Sequence, residues 1–139
     1  MKPLLSLLIG LLAPLALAFA APAPGSDASA APGGPTEIMV FGGTGQLGAE
    51  IVRRLVARGD QVTVFTRPGS DRARLEGLPV RFVEGDLMQP AQIEAAFHGR
   101  RVDAVITAVR VEDGNPRFYA TLMPPLTAAA KAAGVRQFI

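Results

Sequence analysis

The chain has 139 residues, 49% of them apolar and 19% charged, with a formal net charge of +2. That length gives a prior of one domain, and the absence of cysteine excludes a disulfide framework, a thiolate metal site and a cysteine nucleophile. The arginines behind the high pI are scattered among acidic residues, so the charge pattern excludes a nucleic-acid footprint.

Lys2 precedes an apolar run over residues 4–21 that Pro14 interrupts, and Ala18-Phe19-Ala20 closes it with small residues. These parts predict a signal peptide over residues 1–20, cut after Ala20, and so a periplasmic or extracellular protein without stable membrane insertion. An uncleaved leader would instead anchor the chain, because the run approaches the roughly 20 apolar residues that span a bilayer. No Arg-Arg pair precedes the run, which argues against a twin-arginine signal. A later start at Met39 or Val40 would fall inside the first strand, so the leader is read as genuine. Residues 21–36, rich in Ala, Pro, Gly and Ser, bury too little apolar surface to fold and read as a flexible linker.

From residue 37 the chain alternates strand and helix. Residues 37–41 form an apolar strand closed by glycines. Residues 46–58 form a helix with Leu47, Ile51 and Leu55 on one stripe, Val52 and Val56 beside it, and Gly59 at its end. Residues 61–66 are β-branched and aromatic, hence a second strand; residues 80–84 read as a third, after a polar stretch containing Pro68-Gly69-Ser70. Residues 89–98 are a short helix with Ile93 and Phe97 four apart. Residues 103–109 are almost wholly apolar, as a central strand covered on both faces requires. A helix follows over 117–133, where Pro124-Pro125 predict a break or a late start. Residues 136–139 open a further strand and the chain stops within it, which gives the expectation of a truncated domain whose sheet edge a partner chain could cover. The alternation predicts an α/β fold, a Rossmann-type doubly wound parallel sheet over 37–139, since parallel neighbours need right-handed crossovers.

The first strand runs into Gly42-Gly43-Thr44-Gly45-Gln46-Leu47-Gly48. A dinucleotide site needs glycines at these places for a tight turn, for close backbone approach to the pyrophosphate and for close helix–strand packing. The free N–H groups of the first helical turn then meet the phosphates, aided by the helix dipole. A strand before and an amphipathic helix after supply the context that such a glycine pattern needs. At the end of the second strand stand Thr66 and Arg67, with Arg72 and Arg74 following and no acid before Asp71. A guanidinium there suits a ribose 2′-phosphate, so NADP is expected in preference to NAD. Alternatively Arg67 is a solvated strand-end charge.

The loop, Thr66-Arg67, Glu84-Gly85-Asp86-Leu87, Asp103-Ala104-Val105-Ile106 and the run from Ala129 to Ile139 together resemble the amino-terminal half of the atypical short-chain dehydrogenases, within them the NAD(P)H-binding, NmrA-like group. The resemblance covers almost all of 37–139. It implies that Asp86 and Leu87 border the adenine ring, where Asp86 is otherwise a turn or helix-capping residue, and that Thr107, Ala108 and Val109 lie beside the ribose and nicotinamide. It also implies a Tyr-x-x-x-Lys catalytic pair after the fifth strand, and this chain has none. Tyr119 and Lys131 stand too far apart on one helix to form it, and the lone His98 makes neither a triad nor a metal site. No catalytic or metal-binding residue is therefore assigned. Three readings stay open: part of an NADPH-dependent oxidoreductase, a non-catalytic NADP-sensing or binding module, and an inactive truncated product.

Overall fold

The computed structural model describes residues 35–111 and 115–139; the leader and the linker up to residue 34 lie outside them. Five strands alternate with helices: β1 (Glu37–Phe41), α1 (Gln46–Arg58), β2 (Gln61–Thr66), β3 (Val80–Glu84), α2 (Pro90–Phe97), β4 (Ala104–Thr107), α3 (Phe118–Ala132) and β5 (Gln137–Phe138). All neighbours pair in parallel, in the order β3-β2-β1-β4-β5. This is the strand order of the first part of a doubly wound dinucleotide-binding sheet.

The period-two alternation of β1 divides its side chains between two cores. Met39 and Phe41 face α2 and α3, where Phe65, Ile93, Phe97, Leu122 and Leu126 complete one cluster. Ile38 and Val40 face α1 and pack with Val52, Leu55, Val62, Val64 and Leu75. Because both faces are covered, the strand is apolar at almost every position. Phe41 anchors the first cluster, with ring centroids 5.0 Å from Phe65 and 6.2 Å from Phe97. Truncating such a buried phenylalanine costs about 3–5 kcal/mol.

Two expectations require correction. Leu47 does not share the buried stripe of α1: it is 67% exposed, and the stripe is instead Gly48, Ala49, Val52 and Leu55. A helix turns about 100° per residue, so that set faces the sheet, with Ile51 and Val56 half-buried at its margins. The second concerns Pro124 and Pro125, which lie inside α3 without breaking or delaying it. The carbonyls that lose their donors belong to Ala120 and Thr121, both exposed and so open to water. The Thr127 hydroxyl also donates to the carbonyls of Met123 and Pro124, at 2.7 and 3.0 Å. Among the described residues no helix is long and apolar enough to cross a membrane.

Candidate functional site

The chain leaves β1 for β2 on one side of the sheet, and after β3 crosses to β4 on the other. The carboxyl ends of β1 and β4 therefore flank a topological switch point, where the loops diverge and leave a crevice. At this edge the structure collects the loop 42–48, Thr66 and Arg67, Asp86 and Leu87, and Thr107, Ala108 and Val109. They follow four adjacent strands, which at about 4.8 Å per strand spread them over roughly 14 Å.

Gly42 turns the chain out of β1 with φ +79°, a conformation that residues with a Cβ rarely adopt. Its carbonyl accepts a 3.2 Å hydrogen bond from the Gly45 N–H, which closes the turn. Gly48 sits where α1 crosses the loop; a Cβ there would overlap the Gly42 carbonyl and lie 2.8 Å from the Gly43 Cα. Gly43 is buried against Val64 and Val52. Gly45 differs from all three. It is the N-cap of α1, exposed, with only the Gly42 oxygen, 3.4 Å away, within reach of an added Cβ.

No side chain caps α1, and its first turn carries no acidic residue. The leading N–H groups of a helix have no partner inside it, so those of Gln46, Leu47 and Gly48 offer hydrogen bonds and a partial positive charge to an anion above Gly45. The cradle is open exactly where backbone must approach a phosphate, and Thr44 and the exposed Gln46 and Leu47 form its rim. A pyrophosphate fits this donor set.

At the end of β2, Thr66 is 4% exposed and accepts the Gly85 N–H on its carbonyl at 3.0 Å. Arg67 follows, exposed, and opens a turn in which the Ser70 N–H donates to its carbonyl at 3.1 Å. Arg72 pairs with Glu84 and lies 4.5 Å from the Phe82 ring centroid, and the Arg74 carbonyl accepts a hydrogen bond from Arg53 at 2.9 Å.

Asp86 has a turn role: its Oδ1 accepts the Met88 N–H at 2.8 Å, while Gln89, not Asp86, is the N-cap of α2. The side chain remains exposed. Leu87 is half-buried against the α2–α3 core. Thr107 donates from its N–H and hydroxyl to the Ile139 carbonyl, at 2.7 and 3.1 Å. Ala108 donates to the Phe41 carbonyl at 2.8 Å, and the Val109 carbonyl accepts the Tyr119 hydroxyl at 2.8 Å.

Three contributors escaped sequence reasoning. Gln92, on α2, accepts the Asp86 N–H on its Oε1 at 2.8 Å, a link that no local pattern announces. Gly85 is required because a Cβ would lie 2.7 Å from the Phe65 ring; a glycine directly after a strand was the available signal. Tyr119, which in the sequence is only a tyrosine too far from Lys131 to form a catalytic pair, places its hydroxyl on Val109. The large apolar side chains exposed among the described residues, Leu47, Met88, Tyr119 and Ile139, all follow the carboxyl ends of strands. Lys131 and His98 are exposed near the ends of α3 and α2, away from this edge.

Residues 42–139, from the first glycine of the loop onward, match the model of the NAD(P)H-binding family. The chain belongs to that family. This NAD(P)H-binding chain is 38% identical over 108 residues to the sterol demethylase protein B of Methylococcus capsulatus, covering 73% of this chain and 32% of that protein. It is 32% identical over 102 residues to the NAD(P)H azoreductase of Xenophilus azovorans, covering 73% of this chain and 34% of that protein. Among solved structures, the UDP-glucose 4-epimerase of Thermus thermophilus in complex with NAD superposes with a TM-score of 0.63 at 25% identity, over 74% of this chain and 36% of the epimerase. The Bordetella bronchiseptica enzyme WbmG in complex with NAD gives a TM-score of 0.64 at 21% identity, over 77% and 37%, and shares the fold. The NAD(P)H-binding chain thus spans about a third of the length of these proteins. Its fold and family are those of a Rossmann-type dinucleotide-binding domain of short-chain dehydrogenase and epimerase type.

Proposed function

We propose that the crevice at the carboxyl ends of β1, β2 and β4 binds NADPH in preference to NADH, and that the bound nicotinamide serves an oxidoreductase. The observation that carries the preference is Arg67 at the end of β2, with no acidic residue in the sequence between Thr66 and Asp71, where an acid would bind a ribose 2′-hydroxyl. Glu84, the acid on the adjoining strand, is paired with Arg72. In this reading the loop 42–48 holds the pyrophosphate, Thr66 and Arg67 the adenosine ribose and its phosphate, Asp86 and Leu87 the adenine, and Thr107, Ala108 and Val109 the nicotinamide half. A hydride carried by the nicotinamide is the chemistry that the dinucleotide supplies when bound. Calorimetric titration with NADPH and NADH tests the proposal: tighter NADPH binding supports it, and equal affinities would sink the assignment of Arg67.

A binding module without turnover is the second reading. Single-turnover assays with enzyme-bound NADPH and carbonyl or azo acceptors distinguish the two, since a sensing module leaves the cofactor reduced. We further propose that residues 1–20 direct export and are removed, so that the mature protein begins at Ala21; a natural protein retaining Met1 would overturn this.

A further inference from the structure

Tyr119 stands in the first turn of α3, 46% exposed, and its hydroxyl donates a 2.8 Å hydrogen bond to the carbonyl of Val109. Its ring meets that of Phe118 edge-on, with centroids 5.6 Å apart and planes at 82°. Phe118 in turn packs against the core shared by α2 and α3. The phenol is therefore held from below by the core and spans to the segment that leaves β4.

That segment forms one wall of the crevice. Ala108 is tied to β1 by its N–H on the Phe41 carbonyl, and the Val109 nitrogen lies 2.8 Å from where a Cβ of Gly42 would stand. Tyr119 thus holds Val109 by its carbonyl, and the nitrogen of the same residue lies beside the glycine that opens the phosphate loop. The topology assigns this wall to one half of a dinucleotide. The end of β2 takes the adenosine ribose, so a ligand whose pyrophosphate lies over β1 sends its other half toward β4.

We propose that Tyr119 is a positioning residue for the nicotinamide-side wall, its hydroxyl holding the Val109 carbonyl and thereby the residue whose preceding peptide, Ala108–Val109, lies against Gly42. The proposal rests on the dinucleotide reading above. Tyr119 acts through the main chain of Val109, and no proton transfer is assigned to it.

The test is Tyr119→Phe in the full chain, which keeps the ring and its contact with Phe118 and removes the hydroxyl alone. NADPH and adenosine 2′,5′-bisphosphate, which carries only the adenosine half, are titrated into wild type and variant. Loss of one hydrogen bond that orders the wall is expected to weaken NADPH about three- to tenfold. The adenosine ligand should bind both proteins equally, whatever small drop in the ligand-free melting midpoint the lost hydrogen bond brings. Unchanged NADPH affinity, or equal weakening of both ligands, would overturn the positioning role while leaving the dinucleotide site standing. A wild type that binds neither ligand would overturn the site itself and this proposal with it.

Discussion

Gly42 and Ala108 face each other across the switch point so closely that a Cβ on Gly42 would lie 2.7 Å from both the carbonyl carbon and the carbonyl oxygen of Ala108. The loop after β1 and the segment after β4 are thus in main-chain contact, and the crevice floor is built from backbone. Gly42 also has φ +79°, so a side chain there meets torsional strain as well as collision. Gly42→Ala is expected to cost about 1–3 kcal/mol. Urea denaturation measures it, and a variant with the wild-type midpoint would show that the Ala108–Val109 segment gives way to a side chain at Gly42 without cost.

Gly45 and Gly48 belong to the same motif but should respond oppositely. Gly45 has φ −70° and ψ 170°, extended backbone open to any residue, and its Cβ direction is almost empty. Gly45→Val should keep its stability to within about 0.5 kcal/mol and lose NADPH, because its side chain fills the space where phosphate meets backbone. Gly48→Ala pushes α1 off the loop and should lose about 1–3 kcal/mol of stability. Melting curves and titrations on the two variants separate folding from binding; retained affinity in Gly45→Val would refute the role of the loop.

Arg67→Gln should weaken NADPH by about tenfold or more, the usual loss of a charge-assisted hydrogen bond. NADH, lacking the 2′-phosphate, should be unaffected. An equal loss for both nucleotides would assign Arg67 to the pyrophosphate or to the turn it opens.

The sequence marks much of this architecture directly. The bounds read for β1, α1, β2 and β3 coincide with those observed, because glycines, a β-branched run and an amphipathic repeat punctuate each of them. The strand read over 103–109 contracts to Ala104–Thr107, since Ala108 and Val109 leave the sheet to wall the crevice, and apolar character alone does not distinguish sheet from wall. Leu47 misleads for a related reason: the repeat of α1 is apolar enough to admit it, while the geometry of the helix start turns it outward. The pairing of Arg72 with Glu84 and the links Gln92–Asp86 and Tyr119–Val109 depend on side chains brought together by folding. Such contacts have no local spacing to betray them.

The proline pair of α3 gives a test of stability far from the crevice. Pro124 is exposed and offers no N–H to the Ala120 carbonyl. Restoring that donor with Pro124→Ala recovers most of the roughly 3 kcal/mol that an interior proline costs a helix, less a smaller gain in unfolded-chain entropy, for a net stabilisation of about 2 kcal/mol. Thermal unfolding checks the sign. A lower midpoint would mean that the proline rings stiffen α3 more than their missing donors weaken it.

Asp103 fastens the opposite end of the sheet. Its Oδ2 accepts the Glu37 N–H at 3.1 Å, and its Oδ1 accepts Arg101 Nε at 3.2 Å and Arg136 Nη2 at 3.0 Å, so one carboxylate joins β1, β4 and the approach to β5. The Glu37 N–H above all, and then the two guanidiniums, hold its carboxyl below the ordinary aspartate value against the opposing effect of burial. A depressed folded-state value contributes stability above the unfolded value, near pH 4, and that contribution disappears as pH falls through the lower folded value. Wild type should therefore lose stability below about pH 4, while Asp103→Asn, already weakened at neutral pH, should show a flatter acid profile. Glu50 is shifted the same way, chiefly by its hydrogen bond with Arg54, but on an exposed helix face. Salt tells the two apart: an exposed pair is screened, whereas the largely buried Asp103 carboxylate, bonded to a main-chain N–H, is screened much less. Acid destabilisation that persists at high ionic strength and vanishes in Asp103→Asn assigns it to Asp103; a variant that keeps the wild-type acid profile would place its cause elsewhere.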